Sequence, residues 1–147
     1  MNIALTRRGL LAAGAILMVP RQILAQTGAK PMRIRCTFSD QDFTCLLDDN
    51  PTTRDFLSML PLDLTISDFS TNEKIAHLPR RLDEGGLVYY DDEAPGDLCY
   101  FLGWGNLAFF HDSYHYRRDL IRLGHIEGGT APLKKRGKFP LKIELIS

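Results

Sequence analysis

The stretch RIRCTFSDQDFTCLL, residues 33–47, decides the fold class of this 147-residue chain. Arg33 to Phe38 alternates polar and apolar residues, and Phe43 to Leu47 is a second run of β-branched and apolar residues; both patterns are typical of strands. The polar residues 39–42 between them have the composition of a turn. The stretch therefore predicts an N-terminal β-hairpin.

Two of the three cysteines lie in this hairpin. If Asp40 and Gln41 form a two-residue loop, Cys36 faces Cys45 across the ladder. An oxidising compartment permits a disulfide there, but ladder geometry fits the S–S torsion poorly and favours two reduced, small apolar residues. Cys99 lies in an apolar run and is predicted to be a buried strand residue.

The rest of the chain continues as short apolar runs separated by Gly, Pro and Asp clusters. These runs predict a strand from Glu73 that leads into a loop, and further strands at 62–69, 87–90, 98–102, 107–110, 123–126 and 141–146. One short helix is predicted between Asn50 and Pro61, and helical turns are predicted within 116–123 and 131–136. Many short strands at close spacing predict a mainly β barrel or sandwich with one or two short helices.

Composition and charge fit one domain with a charged leader. The chain is 44% apolar, with 18 Lys+Arg against 18 Asp+Glu. Residues 1–25 contain three of the arginines and no acid, so the remainder has 15 basic and 18 acidic residues, a formal charge of −3. This balance argues against nucleic acid as a partner, because binding to a polyanion needs a basic face.

Residues 1–25 have the pattern of an export signal. The apolar run Gly9 to Val19 is far shorter than the roughly 20 residues of a membrane-spanning helix. The sequence TRRGLL at residues 6–11 resembles the twin-arginine signature, and the alternative is a Sec signal with two adjacent arginines. Cleavage after Ala25 would leave a linker at 26–31 and a domain at 32–147. We expect a periplasmic or secreted protein without a stable membrane anchor.

Four separated blocks resemble, in order, the small bacterial cyclophilin-like family: DNPTTRDFL at 49–57, EKIAHLPR at 73–80, GDL at 96–98 and WGNLAFF at 104–110. Members of this family are minimal β-barrels related in fold to the peptidyl-prolyl isomerases. Residues 123–129 also resemble the Phe-Gly-x-Val-x-x-Gly segment of true cyclophilins. The resemblance covers residues 32–147 and implies a small closed or nearly closed cyclophilin-like barrel.

The resemblance implies the fold more strongly than the activity. True isomerases carry a catalytic Arg followed by a Phe-Met-Gln-Gly stretch, and then further Asn, Gln, Trp and His motifs around the proline pocket. Arg80 follows a strand as that catalytic Arg does, but no Phe-x-x-Gln comes after it. Prolyl isomerisation at an atypical site is therefore an alternative to a binding function.

The segment Trp104-Gly105-Asn106 has the residue types of a ligand pocket. Trp offers an apolar wall, Asn offers a donor and an acceptor, and Gly permits close approach of the backbone. In the alternative interpretation Trp104 plugs a barrel end and Asn106 caps the turn. Glu73 beside Lys74 would orient a polar ligand group or form an exposed ion pair. The candidate ligand-binding residues are Glu73, Arg80, Tyr100, Trp104, Asn106 and Phe109.

His111 and His115 are weak candidates for a metal site. Their spacing would place them on one side of a helical turn, but no certain third ligand accompanies them. We predict no metal and no cofactor. The leading hypothesis is an exported barrel that binds a small molecule or peptide in a cleft, without chemistry of its own. The alternatives are an atypical prolyl isomerase and a metal-assisted hydrolase that uses the two histidines.

Overall fold

The computed structural model describes residues 30–146, and the predicted export signal lies outside these residues. The described chain forms eight strands, one α-helix and one 3₁₀ helix. The strands are β1 Met32–Phe38, β2 Gln41–Leu47, β3 Leu62–Phe69, β4 Glu73–His77, β5 Asp97–Phe101, β6 Asn106–Phe110, β7 Leu120–Ile126 and β8 Phe139–Leu145. The helices are α1 Pro51–Leu57 and the 3₁₀ helix Ala131–Lys134. None of the described helices is long and apolar enough to cross a bilayer.

The strands close into an antiparallel barrel in the order β1-β2-β7-β5-β6-β4-β3-β8. Strand β8 pairs with both β1 and β3, which leaves no free edge. Alternate residues along each strand point inward, as in Ile34, Cys36 and Phe38 of β1, and fill the interior with apolar side chains. The prediction of a mainly β, closed barrel is confirmed.

The predicted register of the β1–β2 hairpin is wrong by two residues. Phe38 pairs with Gln41, so the turn is Ser39-Asp40, and Ser39 has a positive φ of 52°. Cys36 therefore faces Phe43 rather than Cys45. A shift of two residues keeps every side chain on its own face, so both cysteines still point inward and are buried as free thiols.

Helix α1 begins where its sequence predicts, but it ends at Leu57 rather than continuing to the predicted terminating Pro61. The side chain of Asn50 accepts a hydrogen bond from the backbone N–H of Thr53 at 2.8 Å, and Pro51 occupies the first turn, where no donor is needed. Phe56 is completely buried and attaches the helix to the barrel core. The predicted helical turn within 131–136 is also present, as the 3₁₀ helix.

Two sequence predictions about secondary structure are wrong. Residues 87–90 are irregular rather than a strand, and Val88 and Tyr89 are exposed. The barrel is already closed by the eight strands, so this apolar run has no edge with which to pair. Residues 116–123 contain no helix but a single hydrogen-bonded turn, in which the N–H of Leu120 donates to the carbonyl of Arg117, because β7 begins at Leu120 and pairs with β5.

A second apolar cluster lies on the outer face of β5 and β6. All five residues of β6 are buried, which means that both faces of this strand are covered. The outer face carries Cys99, Ala108 and Phe110, and the segments around Tyr90 and Tyr114 pack over it. These covering segments build the walls of the cleft described below.

Candidate functional site

A cleft of about 570 Å³ opens on the outer face of β4, β5 and β6. Its floor follows from strand alternation: Asn106, Ala108 and Phe110 of β6 share one face, and Glu73 pairs with Phe110 on the neighbouring strand. The apolar lining comes from Phe69, Phe101, Trp104, Ala108, Phe110 and Leu120. The polar lining includes Glu73, Asn106, His115 and Arg117.

Trp104 forms an apolar wall of the cleft. Its ring meets Phe69 edge-to-face at 5.3 Å and Phe101 edge-to-face at 5.6 Å between centroids. Although it is held by both rings, the Trp104 side chain remains 56% exposed. A large aromatic surface held in place and left open to solvent is typical of a ligand-binding wall.

Asn106 lies at one end of the cleft floor and carries a buried hydrogen-bond acceptor without a partner among the described residues. Its Nδ2 donates to the backbone carbonyl of Leu107 at 3.1 Å. A carbonyl oxygen only accepts, so this contact fixes the orientation of the amide and leaves Oδ1 on the other side. Asn106 is 2% exposed, and Oδ1 accepts no hydrogen bond from the described residues. An unsatisfied buried acceptor costs about 1–3 kcal/mol, which a ligand donor would recover.

Glu73 lies at the other end of the floor. Partial burial raises the pKa of its carboxyl to about 7, and the positive charge of Arg117 opposes that increase. Its neighbour Lys74 points in the opposite direction, into the barrel, where it is fully buried. The two residues therefore do not form the exposed ion pair that the sequence allowed, and Glu73 lines the cleft without Lys74.

The raised pKa of Glu73 predicts a pH-dependent effect of Glu73→Gln on stability. The folded state holds the Glu73 proton up to about pH 7, whereas the unfolded chain releases it near the ordinary value of 4.5. Ionisation therefore opposes folding as the pH rises, and the loss is complete above the folded-state pKa. We expect Glu73→Gln to raise the free energy of unfolding by about 1–3 kcal/mol at pH 8 and to leave it unchanged at pH 4.

Urea unfolding of both proteins at the two pH values measures this difference. Glu84→Gln is the matched control, because Glu84 is exposed. An equal effect of Glu73→Gln at both pH values would show that Glu73 is ionised in the folded state as readily as in the unfolded chain.

A buried hydroxyl network holds one wall of the cleft in place. The ring of Tyr114 stacks on Phe110 with centroids 3.8 Å apart, and its hydroxyl donates to Asp97 at 2.7 Å. The hydroxyl of Tyr90 lies 3.0 Å from that of Tyr114 and 3.4 Å from Cys99 Sγ. Burial raises the pKa of the Cys99 thiol to about 12, so this cysteine is a packing residue and not a nucleophile.

Four of the predicted site residues lie outside the cleft lining. Arg80 forms two hydrogen bonds with the carboxylate of Asp55, at 2.9 and 3.0 Å. Tyr100 and Phe109 point into the barrel core, because each lies next to residues of its strand that face outward. His111 is not part of the lining, and partial burial lowers its pKa.

The structure brings together Glu73, Trp104 and Asn106 in the cleft, and it adds His115 at the rim. Within residues 30–146, no group of three or more His, Cys, Asp or Glu side chains is arranged to hold a metal ion. Sequence reasoning missed Phe69, Phe101, Tyr114 and Arg117. Strand alternation could have identified Phe69 and Phe101, because each lies on the outer face of its strand, two residues from another outward-facing residue.

Comparison with known proteins agrees with this architecture. The model of the cyclophilin-like family matches residues 36–144. A hypothetical protein from Archaeoglobus fulgidus, known from its solution structure, is similar in fold with a TM-score of 0.58 and 13% sequence identity, covering 81% of this chain and 98% of that chain. No curated protein has a significantly similar sequence. The match spans most of the chain, and every strand of the barrel except β1 begins within it. The chain therefore belongs to the cyclophilin-like family.

Proposed function

We propose that this domain binds a small molecule or short peptide in the cleft on the outer face of β4, β5 and β6. The observation that carries the proposal is the unpartnered Oδ1 of Asn106, buried among apolar walls. Protein groups or ordered water satisfy most buried acceptors, so a buried acceptor without a protein partner beside a cleft is a position at which a bound molecule would supply the donor. The cleft volume of about 570 Å³ also lies in the range usual for small-molecule sites.

We further propose that the protein works outside the cytoplasm. The support is the sequence of residues 1–25, which combines an arginine pair, a short apolar run and a plausible cleavage position after Ala25. The domain that would remain has three free cysteines, all buried in the barrel or its outer cluster. Burial of this kind keeps thiols from reacting in an oxidising compartment.

The geometry does not favour a second function. Prolyl isomerisation was inferred from Arg80, but its guanidinium is paired with Asp55 and lies outside the cleft lining. Hydrolysis was inferred from His111 and His115, and His115 alone of the two lines the cleft. The proposal is therefore a binding function.

A thermal-shift screen of small molecules against wild type and Trp104→Ala tests the proposal. We expect ligands of the cleft to raise the melting temperature of the wild type. We also expect their affinity for Trp104→Ala to fall about tenfold or more, because the variant removes a large aromatic contact surface. Val88→Ala is the matched control, since Val88 is exposed on the irregular segment and does not line the cleft. Ligands whose affinity is unchanged in Trp104→Ala would bind elsewhere and contradict the proposed site.

A further inference from the structure

Several donors around the cleft are already engaged within the protein, whereas the side-chain oxygen atoms at the two ends of its floor are not. Tyr114 donates its hydroxyl to Asp97, and Asn72 donates its side-chain amide to the carbonyl of Ser113 at 3.2 Å. Arg117, at the rim, donates to Asp119 at 2.7 Å. Three of the donors around the cleft are thus already used within the protein.

The two open groups at the ends of the floor are acceptors when Glu73 is ionised. Further N–H groups along the walls and rim belong to Trp104, His115 and Arg117. Oδ1 of Asn106 accepts nothing from the described residues, and the carboxyl of Glu73 has no hydrogen bond or ion pair within the part of the chain that the structure describes. At pH 8, above the pKa of Glu73, a ligand that brought only acceptors to these two points, such as the oxygens of a phosphate or a carboxylate, would place oxygen against oxygen at both. Such an arrangement leaves buried polar atoms unsatisfied and is strongly disfavoured.

Strand geometry gives the distance between the two acceptors. Glu73 pairs with Phe110, and Phe110 lies four residues from Asn106 on the same face of β6. At about 3.3 Å per residue, the two backbone positions are roughly 13 Å apart. Two hydrogen bonds of about 2.9 Å take up part of this length, so the donors of a ligand would lie roughly 7–13 Å apart.

The surface between the acceptors is apolar. Ala108 lies midway along the floor, and its small side chain leaves room above it. Trp104 and Phe101 supply aromatic surfaces at the side. Aromatic rings tolerate the methylene groups next to a cation and attract the cation itself. This surface suits a ligand whose central part is a planar ring or an aliphatic chain, and it disfavours a ligand whose central part is strongly hydrated.

From this arrangement we infer that the ligand of the cleft is an amine with an apolar, ring-sized body and a second, neutral donor at its far end. Its ammonium group pairs with the Glu73 carboxylate, and an O–H or N–H at the other end donates to Asn106 Oδ1. The inference rests on the proposed binding function and specifies the chemical class of the ligand. Partial burial leaves the Glu73 charge poorly compensated, which a bound cation would correct.

Three related probes separate the two contacts. Tyramine carries a phenolic O–H, an aromatic ring and an ammonium group. Phenethylamine lacks the O–H, and tyrosol replaces the ammonium group with a neutral hydroxyl. Trp104 is the sole tryptophan of the chain and lines the cleft, so its fluorescence reports on binding at this site.

We expect the wild type, titrated at about pH 8, to bind tyramine roughly tenfold or more tightly than tyrosol, because a charge-assisted hydrogen bond is lost. Tyramine should also bind roughly three- to tenfold more tightly than phenethylamine. Glu73→Gln should abolish the preference for tyramine over tyrosol and keep the preference over phenethylamine. Asn106→Leu should keep the preference for tyramine over tyrosol and abolish the preference over phenethylamine. The comparison of probes on the wild type stands even where Asn106→Leu does not fold.

Two results would overturn the inference. One is tyrosol binding as tightly as tyramine to the wild type, which would leave a cleft that binds ligands without selecting amines. The other is the absence of any Trp104 response to the three probes. In either case the thermal-shift screen decides separately whether the cleft binds ligands of another class, so failure of this inference is distinguishable from failure of the proposed function.

Discussion

Asp68→Ala is expected to lower the free energy of unfolding by about 3–5 kcal/mol, because it leaves the ammonium group of Lys74 buried without a counterion. Lys74 is fully buried, and its Nζ lies 2.8 Å from Oδ1 of Asp68. The rings of Phe38 and Phe139 lie 5.4 and 6.0 Å from the same nitrogen. Aromatic faces alone do not replace the lost carboxylate.

The double variant Lys74→Met/Asp68→Ala shows whether the loss comes from the unpaired charge. Removal of both partners should recover most of the stability, apart from about 1 kcal/mol for the hydrogen bond that Gly137 N–H donates to Asp68 at 2.7 Å. Asp42→Ala, which breaks an exposed pair with Arg35, should have a far smaller effect. A double variant as unstable as Asp68→Ala would contradict this explanation.

The contribution of Asp68 also has a defined dependence on pH. Burial by itself would raise the pKa of this carboxyl, but the hydrogen bonds from Lys74 and Gly137 and the charges of Lys74 and Arg136 outweigh burial and hold the pKa below its ordinary value of 3.8. The stability that Asp68 contributes is therefore present above about pH 4 and is lost as the pH falls through the folded-state pKa.

The second large effect is expected at Gly124→Ala, where β7 passes β2. A Cβ at this position would lie 2.1 Å from the carbonyl oxygen of Leu46 and 2.8 Å from Cα of Leu47. Both atoms belong to the backbone of the paired strand, so no side-chain rotation relieves the clash. We expect a loss of at least about 3 kcal/mol in the free energy of unfolding, measured by urea denaturation, because the ladder that closes the barrel must separate.

Gly128→Ala is the matched control for this effect. Gly128 has a φ of +86° but nothing within 4 Å of its Cβ position. The control therefore carries only the backbone strain of a left-handed residue, about 1–2 kcal/mol. Equal losses at both positions would show that the β2–β7 contact is looser than the structure describes.

Alternation of residue types predicted the barrel and part of the cleft. In β1 the polar and apolar residues alternate cleanly, so the inward face could be assigned from sequence. In β5 and β6 both faces are buried, and hydrophobicity then carries no information on which face is inside. For this reason Tyr100 and Phe109 were predicted for the cleft although they point into the core.

Residues whose positions depend on tertiary contacts could not be predicted from the alternation of residue types. Tyr114 and Arg117 come from the irregular segment between β6 and β7, and their positions depend on contacts with Asp97, Phe110 and Phe101. The hairpin register failed for a related reason: Ser39-Asp40 and Asp40-Gln41 are both acceptable turns by composition. A shift of two residues preserves the buried face, so the pattern could not distinguish them.

The central claim is that Asn106 and the walls around it form a ligand-binding site. The most direct measurement is a crystal structure of the protein with a ligand identified in the thermal-shift screen. We expect the ligand to lie between Trp104 and the floor of β6, with a donor atom about 2.9 Å from Oδ1 of Asn106. A ligand bound outside the cleft, or one bound within it that leaves Oδ1 of Asn106 without a donor, would contradict it.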